Sequence, residues 1–413
     1  MEHASPLCDP LSPSRRAILG AAGAFFAWSY APKFAFAAGG RDPRLVVIVL
    51  RGALDGLSLA APIGDPDYAA LRESIALSLS GPNPALPLDG FFALHPAMPN
   101  LARLWAAKQA LVIHACATGY RERSHFDGQD VLESGQPKPG LTQSGWLNRA
   151  LEALPRGERV SQGALLGVGP VAPLIARGRA PVTGWAPQML PRADDNLAAR
   201  VLDLYTHTDA KLAEVLRRGL ETDRMASASM GDVKARGGPA DAEGMKTIAT
   251  GAARLMAAPA GPRIAALAFE GWDTHANQGG ASGQLANRLA GLDGALAALE
   301  SGLGPAWKDT VVVVTTEFGR TAKLNGTVGS DHGTATAAIL AGGAVKGGRI
   351  HADWPGLKAA QLFEGRDLKP TTDLRAVLKG VLAEHLGLSA KVLGESVFPG
   401  TPDLAPLSGL LHT

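Results

Sequence analysis

The chain has 413 residues, 19% of them charged, and a formal net charge of +2. That length supports a large core in one or two domains, and the near-neutral balance argues against a nucleic-acid surface or an acidic tail. The 50 glycines and 29 prolines point to many tight turns and irregular connections rather than to a helical bundle.

In chain order, the first segment reads as an address. Ser14-Arg15-Arg16 precedes an apolar run, Ala17 to Tyr30, followed by Pro32, Lys33 and a small-residue site, Ala35-Phe36-Ala37. This is the pattern of a twin-arginine signal peptide over residues 1–37. Cleavage is expected near Ala37 or Ala38, in preference to retention as a membrane anchor. The pattern implies the twin-arginine translocase as a partner during export and a periplasmic or secreted location in bacteria. No later segment offers an uncharged apolar run long enough to span a bilayer. With Cys8 in the signal, Cys116 alone is left in the mature chain, which excludes an intramolecular disulfide and a tetrathiolate zinc site. Following LVIHA, it reads as a small buried residue.

Apolar, β-branched runs then recur at Leu45–Leu50, Ala110–Ala115, Ala164–Val168, Ile264–Phe269, Val311–Thr316 and Ala337–Leu340. They are short and bounded by Gly, Pro or charge, as strands are. Between two of them, Leu285, Leu289, Leu292, Leu296 and Leu299 form a one-sided stripe that predicts a helix over 284–299. Strand, helix and strand make a βαβ unit with parallel strands and a right-handed crossover. The expected fold is α/β: three layers, α/β/α, around a mostly parallel, doubly wound sheet, in one domain over 38–413. Residues 190–258 are charged and amphipathic and read as a helical insertion, either a lid or a plain crossover. TTDLRAVLKGVLAEHLG opens on a Thr/Asp cap and predicts a further helix.

Ligands of open parallel sheets bind beyond the carboxyl ends of the strands, so the residues just past each run carry the functional reading. Asp55 follows the first, as a metal ligand or part of an Asp-Gly turn. After the second comes RERSHFDGQD, where Ser124 reads as a helix cap and as a candidate nucleophile. His125 is a candidate ligand or acid there, and Arg121 and Arg123 are candidate oxyanion clamps. Asp273 and His275 follow the Ile264–Phe269 run; spaced two apart, they can converge on one cation. Glu317 and Arg320 follow the four valines, and Asp331 and His332 lie in the next Gly-rich turn. Asp55, Asp273, His275, Glu317, Asp331 and His332 are therefore the expected set for a divalent metal ion; zinc, calcium, magnesium and manganese all suit such ligands. Ser124, Arg121 and Arg320 are the expected catalytic groups. His95, His207, His351 and His385 are given no role, and His114 is expected in the core.

These segments occur in an order that resembles a known family. The twin-arginine start, LRGALDGLSLAAPIGDPDY, LHPAMPNLARLW, YRERSHFDGQD, GWDTH, TTEFGRT and SDHGTATAAILAGGAVKGGRIHADWPGL resemble the exported proteins of the domain-of-unknown-function family 1501, over nearly all of the mature chain. That family resembles a distant branch of the alkaline phosphatase and sulfatase superfamily. The resemblance implies an alkaline-phosphatase-like fold and a metal site at the strand ends, with Asp55 at the first-strand ligand position. It also implies Ser124 at the nucleophile's helix terminus, Asp273 and His275 as ligands, and His332 near the last His ligand. The chain departs where the superfamily has Asp-His-Gly, since it carries Glu317-Phe318-Gly319. It has no C-x-P-S-R segment, so formylglycine sulfatase chemistry is not expected.

The function expected on this basis is an exported, metal-dependent hydrolase of phosphate or sulfate esters acting on a small-molecule ester. The competing reading is a non-catalytic periplasmic binding or assembly protein that keeps the fold. A serine esterase ranks below both, because no G-x-S-x-G elbow is present.

Overall fold

The structure is a computed structural model and describes residues 41–154, 165–169, 171–187, 195–230 and 237–412. The signal segment 1–37 lies outside the described residues, as does Ala164. The described strands are β1 Arg44–Leu50, β2 Ala60–Ala61, β3 Leu86–Pro87, β4 Ala93–Leu94, β5 Ala110–Ala117, β6 Leu165–Val168, β7 Val182–Trp185, β8 Ile264–Phe269, β9 Thr310–Thr316, β10 Thr336–Ala341, β11 Arg349–His351 and β12 Thr372–Asp373. β2, β4 and β3 form a small antiparallel sheet. The others form one large sheet, ordered β11-β5-β10-β9-β1-β8-β6-β7, with β12 also on β5.

Every neighbouring pair in this sheet is parallel except the two made by β10. The fold is thus a mixed α/β one with a largely parallel sheet flanked by helices. β8, the helix Gln284–Leu303 and β9 follow one another as the sequence predicts, and both strands are parallel to β1, which lies between them. Register decides where the site forms. Leu50 pairs with both Phe269 and Thr316, so β8, β1 and β9 end level. Arg51, Glu270 and Glu317 leave the sheet at one height. β10 runs the other way, so the turn that precedes it, not the one that follows, reaches this same edge.

The valine-rich runs are buried because both sheet faces are covered. Val46, Ile48 and Leu50 face one core, with the leucine stripe of Gln284–Leu303 and with Met245, Ala249 and Ala252 of the helix Ala242–Ala257. Leu45, Val47 and Val49 face the other, with Trp146, Leu374, Val377 and Val381. In the 190–258 region the last helix is therefore part of a main layer. The helices Asp195–Thr208 and Ala210–Met230 leave Leu204, Leu212 and Val215 exposed. Residues 190–194 and 231–236 of that region are outside the description.

Two core histidines tie the fold to pH. His114 donates from Nε2 to the Ala60 carbonyl at 3.0 Å and accepts at Nδ1 from Ala115 N–H at 2.8 Å. His385 donates from Nε2 to the Arg44 carbonyl at 2.9 Å. Burial pushes each down to about 4, against about 6.5 in an unfolded chain. Each contributes stability above the unfolded value that is lost as pH falls from about 6.5 through about 4, roughly 3 kcal/mol per histidine. Urea midpoints at pH 7 and pH 4.5 are expected to differ strongly, and His385→Leu is expected to reduce the difference. Equal midpoints in the wild type would rule this out.

Candidate metal centre

The site is built on backbone contacts between strand-end turns. Gly52, just past β1, has φ +119, and a Cβ there would stand 2.5 Å from Asp273 N. Only glycine lets the β1 and β8 exits touch. Its N–H donates to Glu317 Oε1 at 2.8 Å. The turn before β10 lies as close to its neighbours, since a Cβ on Gly329 would stand 2.2 Å from the His275 carbonyl.

On this floor three imidazoles gather around Asp273. His125 opens the helix His125–Ser134, and its Nδ1 lies 2.8 Å from Glu317 Oε1. His332 Nδ1 lies 2.8 Å from the Arg123 carbonyl. His275 Nδ1 lies 3.0 Å from Asp331 Oδ1. Carbonyl and carboxylate oxygens only accept, so each Nδ1 carries the proton. In the neutral rings all three Nε2 atoms are then bare lone pairs, and all three face one carboxylate. They stand 3.4 Å (His125), 3.1 Å (His275) and 3.3 Å (His332) from Asp273 oxygens, and the Nε2 atoms of His275 and His332 are 2.9 Å apart.

Lone pairs pointed at a carboxylate and at one another repel unless positive charge lies between them. His125 Nε2 is buried and makes no hydrogen bond, with Asp273 Oδ2 as its 3.4 Å neighbour. Imidazoles whose far nitrogens are fixed by a carboxylate or carbonyl are the usual arrangement around a metal ion. Two ligands at about 2.0–2.1 Å from a tetrahedral zinc lie roughly 3.3 Å apart, and the four spacings above run from 2.9 to 3.4 Å. The donors present therefore fit a divalent ion. Among the described residues, the ligand atoms of His125, Asp273 and His332 all lie within 4.8 Å of one another, and His275 stands beside two of them.

The charges are set by what lies beneath. Burial works to raise the Asp273 carboxyl, but the Arg320 hydrogen bond and charge, with His275 and His125, together hold it below its ordinary value. Glu317 is fully buried. Desolvation opposes its charge, and bonds from His125, Gln129 and Gly52 outweigh this and keep its carboxyl low. His125 is raised, chiefly by its bond to Glu317. His332 is lowered, chiefly by burial and then by the nearby His125, which favours the neutral form a ligand needs. The Asp273, His275 and His332 side chains are 40, 44 and 26% exposed, so the cluster opens to solvent above a buried base.

The other expected site residues fall around this cluster. Glu317 and Asp331 sit one bond outside it, behind His125 and His275. Arg320, with no exposed side-chain surface, donates from Nη1 to Asp273 Oδ1 at 2.6 Å. Asp55 sits apart from it. As cap of the helix Gly56–Leu59 it accepts from Leu57 and Ser58 N–H, and its other oxygen takes bonds from Arg72, Ser58 and Gln278. Arg121 is turned onto the Thr118 and Tyr120 carbonyls, and Arg123 onto Asp367 and Glu364. Ser124 holds the N-cap position, but its side chain makes no bond to the helix amides. Sequence reasoning gave no role to Arg72, Gln278 or Ser330. The first lies in a five-residue helix and the others in Gly-rich turns, and no spacing marks them.

The family described as "Protein of unknown function (DUF1501)" matches residues 42–397. No curated protein matches. Three solved structures are similar in layout. A phosphonate monoester hydrolase of Agrobacterium radiobacter is 12% identical, with TM-score 0.34, over 84% of this chain and 74% of its own. Ps i-CgsB in complex with k-i-k-neocarrahexaose is 12% identical, with TM-score 0.43, over 88% and 76%. The C-terminal periplasmic domain of EcEptC from Escherichia coli, in complex with Zn, is 11% identical, with TM-score 0.34, over 73% of each chain. Likenesses this distant say nothing of the chemistry of this chain. Among the described residues no helix is long and apolar enough to cross a membrane.

Proposed function

We propose that this chain, which belongs to the DUF1501 family, is an exported metal-dependent hydrolase of phosphate or sulfate esters. The observation that carries this is the convergence of three imidazole Nε2 atoms on Asp273. His125, Asp273, His275 and His332 would hold one divalent ion, with Glu317, Asp331 and the Arg123 carbonyl orienting the imidazoles. When bound, such an ion supplies positive charge to the non-bridging oxygens of an ester. Ser124 is the nucleophile in this reading. It adjoins His125, at a helix N-terminus whose first amides point outward and favour negative charge. Arg320 holds Asp273 in place from below. Asp55 stands outside the ligand set in this reading, and Arg121 stiffens the turn that carries Ser124.

The second reading, a non-catalytic binding protein, is favoured by one observation: Arg121, Arg123 and Arg320 are all engaged by internal partners, which leaves none of the three to clamp a transition state. The two readings separate on one assay. Zinc-loaded protein is expected to hydrolyse 4-nitrophenyl phosphate or sulfate, to lose this on chelation and to regain it when zinc returns. Metal uptake with no turnover on either ester would favour the binding role.

A further inference from the structure

Behind the cluster lies a buried polar chain that the proposed chemistry does not use. Arg72, Asp55, Ser58, Gln278, Ser330 and Arg320 are each at most 1% exposed, although burying so many polar groups is costly unless all are paired. From Arg320 through Ser330 and Gln278 to Asp55 each group donates to the next, and Arg72 donates to Asp55 from the other side. Arg72 forms an ion pair with Asp55, and this keeps the carboxylate charged: desolvation opposes the charge, and Arg72 with the Gln278 and Ser58 bonds outweighs it. An ionised Asp55 can only accept, so the Gln278 amide must turn its NH2 toward it, at 2.6 Å. Gln278 Oε1 then faces away and accepts from Ser330 Oγ at 2.5 Å and from Thr274 Oγ1 at 3.0 Å. With its proton given to Gln278, the Ser330 oxygen is left to accept from Arg320 Nε at 3.3 Å. The Ser330 carbonyl takes Arg320 Nη2, and Arg320 Nη1 reaches Asp273 at 2.6 Å. Arg72 also donates to the Thr321 and Ala322 carbonyls, both at 3.2 Å, and so pins the backbone next to Arg320 from the other side.

We infer that Arg72, Asp55, Gln278 and Ser330 form a positioning relay for the metal centre. The Arg72–Asp55 ion pair sets the orientation of the Gln278 amide, and that orientation fixes Arg320 and, through it, Asp273. The inference rests on the proposed site for its purpose but on the hydrogen-bond geometry for its evidence. A scaffold role alone would need no consistent order among these bonds, whereas here, Arg72 Nε apart, every donor and acceptor from Asp55 to Arg320 is assigned once Asp55 is charged.

The test uses the full mature chain and cobalt(II) as the probe. Ser330→Ala removes one hydroxyl of the relay, and Gln278→Leu removes the amide at similar volume. Both are expected to weaken cobalt binding by up to about 10-fold, the low end of the range for partners one bond removed from a ligand, since each acts on Asp273 through Arg320, and to shift the visible cobalt absorption bands. Asp55→Asn, which frees the Gln278 amide to turn over, is expected to do the same. In metal-free crystals of Gln278→Leu, Arg320 is expected to have withdrawn from Asp273. Variants that lose only thermal stability, with wild-type cobalt affinity and absorption bands, would overturn the relay. So would an intact Arg320–Asp273 pair in the metal-free crystal. Should wild-type protein take up no cobalt, the hydrolase reading fails, and the relay still stands or falls by that crystal structure.

Discussion

Replacing Asp273 by Asn is expected to cut the affinity of this chain for zinc or cobalt by about 100-fold or more, as loss of the one carboxylate ligand among neutral imidazoles should. Asp273 is the carboxylate that all three Nε2 atoms face, at 3.1–3.4 Å. The substitution keeps its shape and removes its charge. It also leaves the buried Arg320 with a neutral acceptor in place of its charged partner, and with Asp273 40% exposed this should cost about 1–2 kcal/mol of stability, so the metal-free variant should melt at a lower temperature. His275→Ala leaves the other three donors in place and should cost less affinity, about 10-fold. Titration calorimetry and elemental analysis of dialysed protein check both. Wild-type metal content in both variants would remove this pair from the site. Less than about a tenth of an equivalent in the wild type after metal supplementation would remove the metal-dependent reading altogether.

Ser124→Ala is expected to abolish turnover of an aryl phosphate or sulfate, a loss of about 1,000-fold or more, as for the removal of a covalent nucleophile. The usual objection to such a test is that a helix cap is lost as well, at about 1 kcal/mol. Here the Ser124 side chain makes no bond to the helix amides, so the substitution breaks no cap. Stability should stay within about 0.5 kcal/mol of wild type, and metal affinity should be unchanged. Turnover at the wild-type rate in this variant would exclude Ser124 and move the nucleophile to solvent. An unfolded variant is not expected on these contacts, and its circular dichroism checks that directly.

The sheet was readable because its signal is local. Six of the strands announce themselves as apolar runs, and the reason is visible in Val46 and Val47, neighbours that enter opposite cores. The stripe from Leu285 to Leu299 was readable for the same reason, being fully buried on one face. What could not be read is pairing. His125 meets Glu317 across 192 residues, and nothing in either segment names the other. The reversal of β10 leaves no mark in TATAAILA, yet it brings His332 to the edge where the other strands end. Asp55 shows the limit from the other side. A carboxylate past a strand suggests a ligand, and the same Asp-Gly suggests a turn. The second signal describes its bonds to Leu57 and Ser58 N–H. Its partner Arg72 ends a five-residue helix, Tyr68–Arg72, to which no motif or spacing draws attention.

The level ending of β8, β1 and β9, with β10 inverted beside them, has a consequence for assembly. The four proposed ligands come from turns that meet only when the sheet is complete, from residue 125 to residue 332. No shorter piece of the chain contains the centre, and an unfolded chain has nothing comparable to offer an ion. Metal uptake and global folding are then thermodynamically linked. Free ion at 100 times its dissociation constant would deepen the native well by about 2.7 kcal/mol, which makes ion occupancy a measure of whether the whole polypeptide has closed correctly.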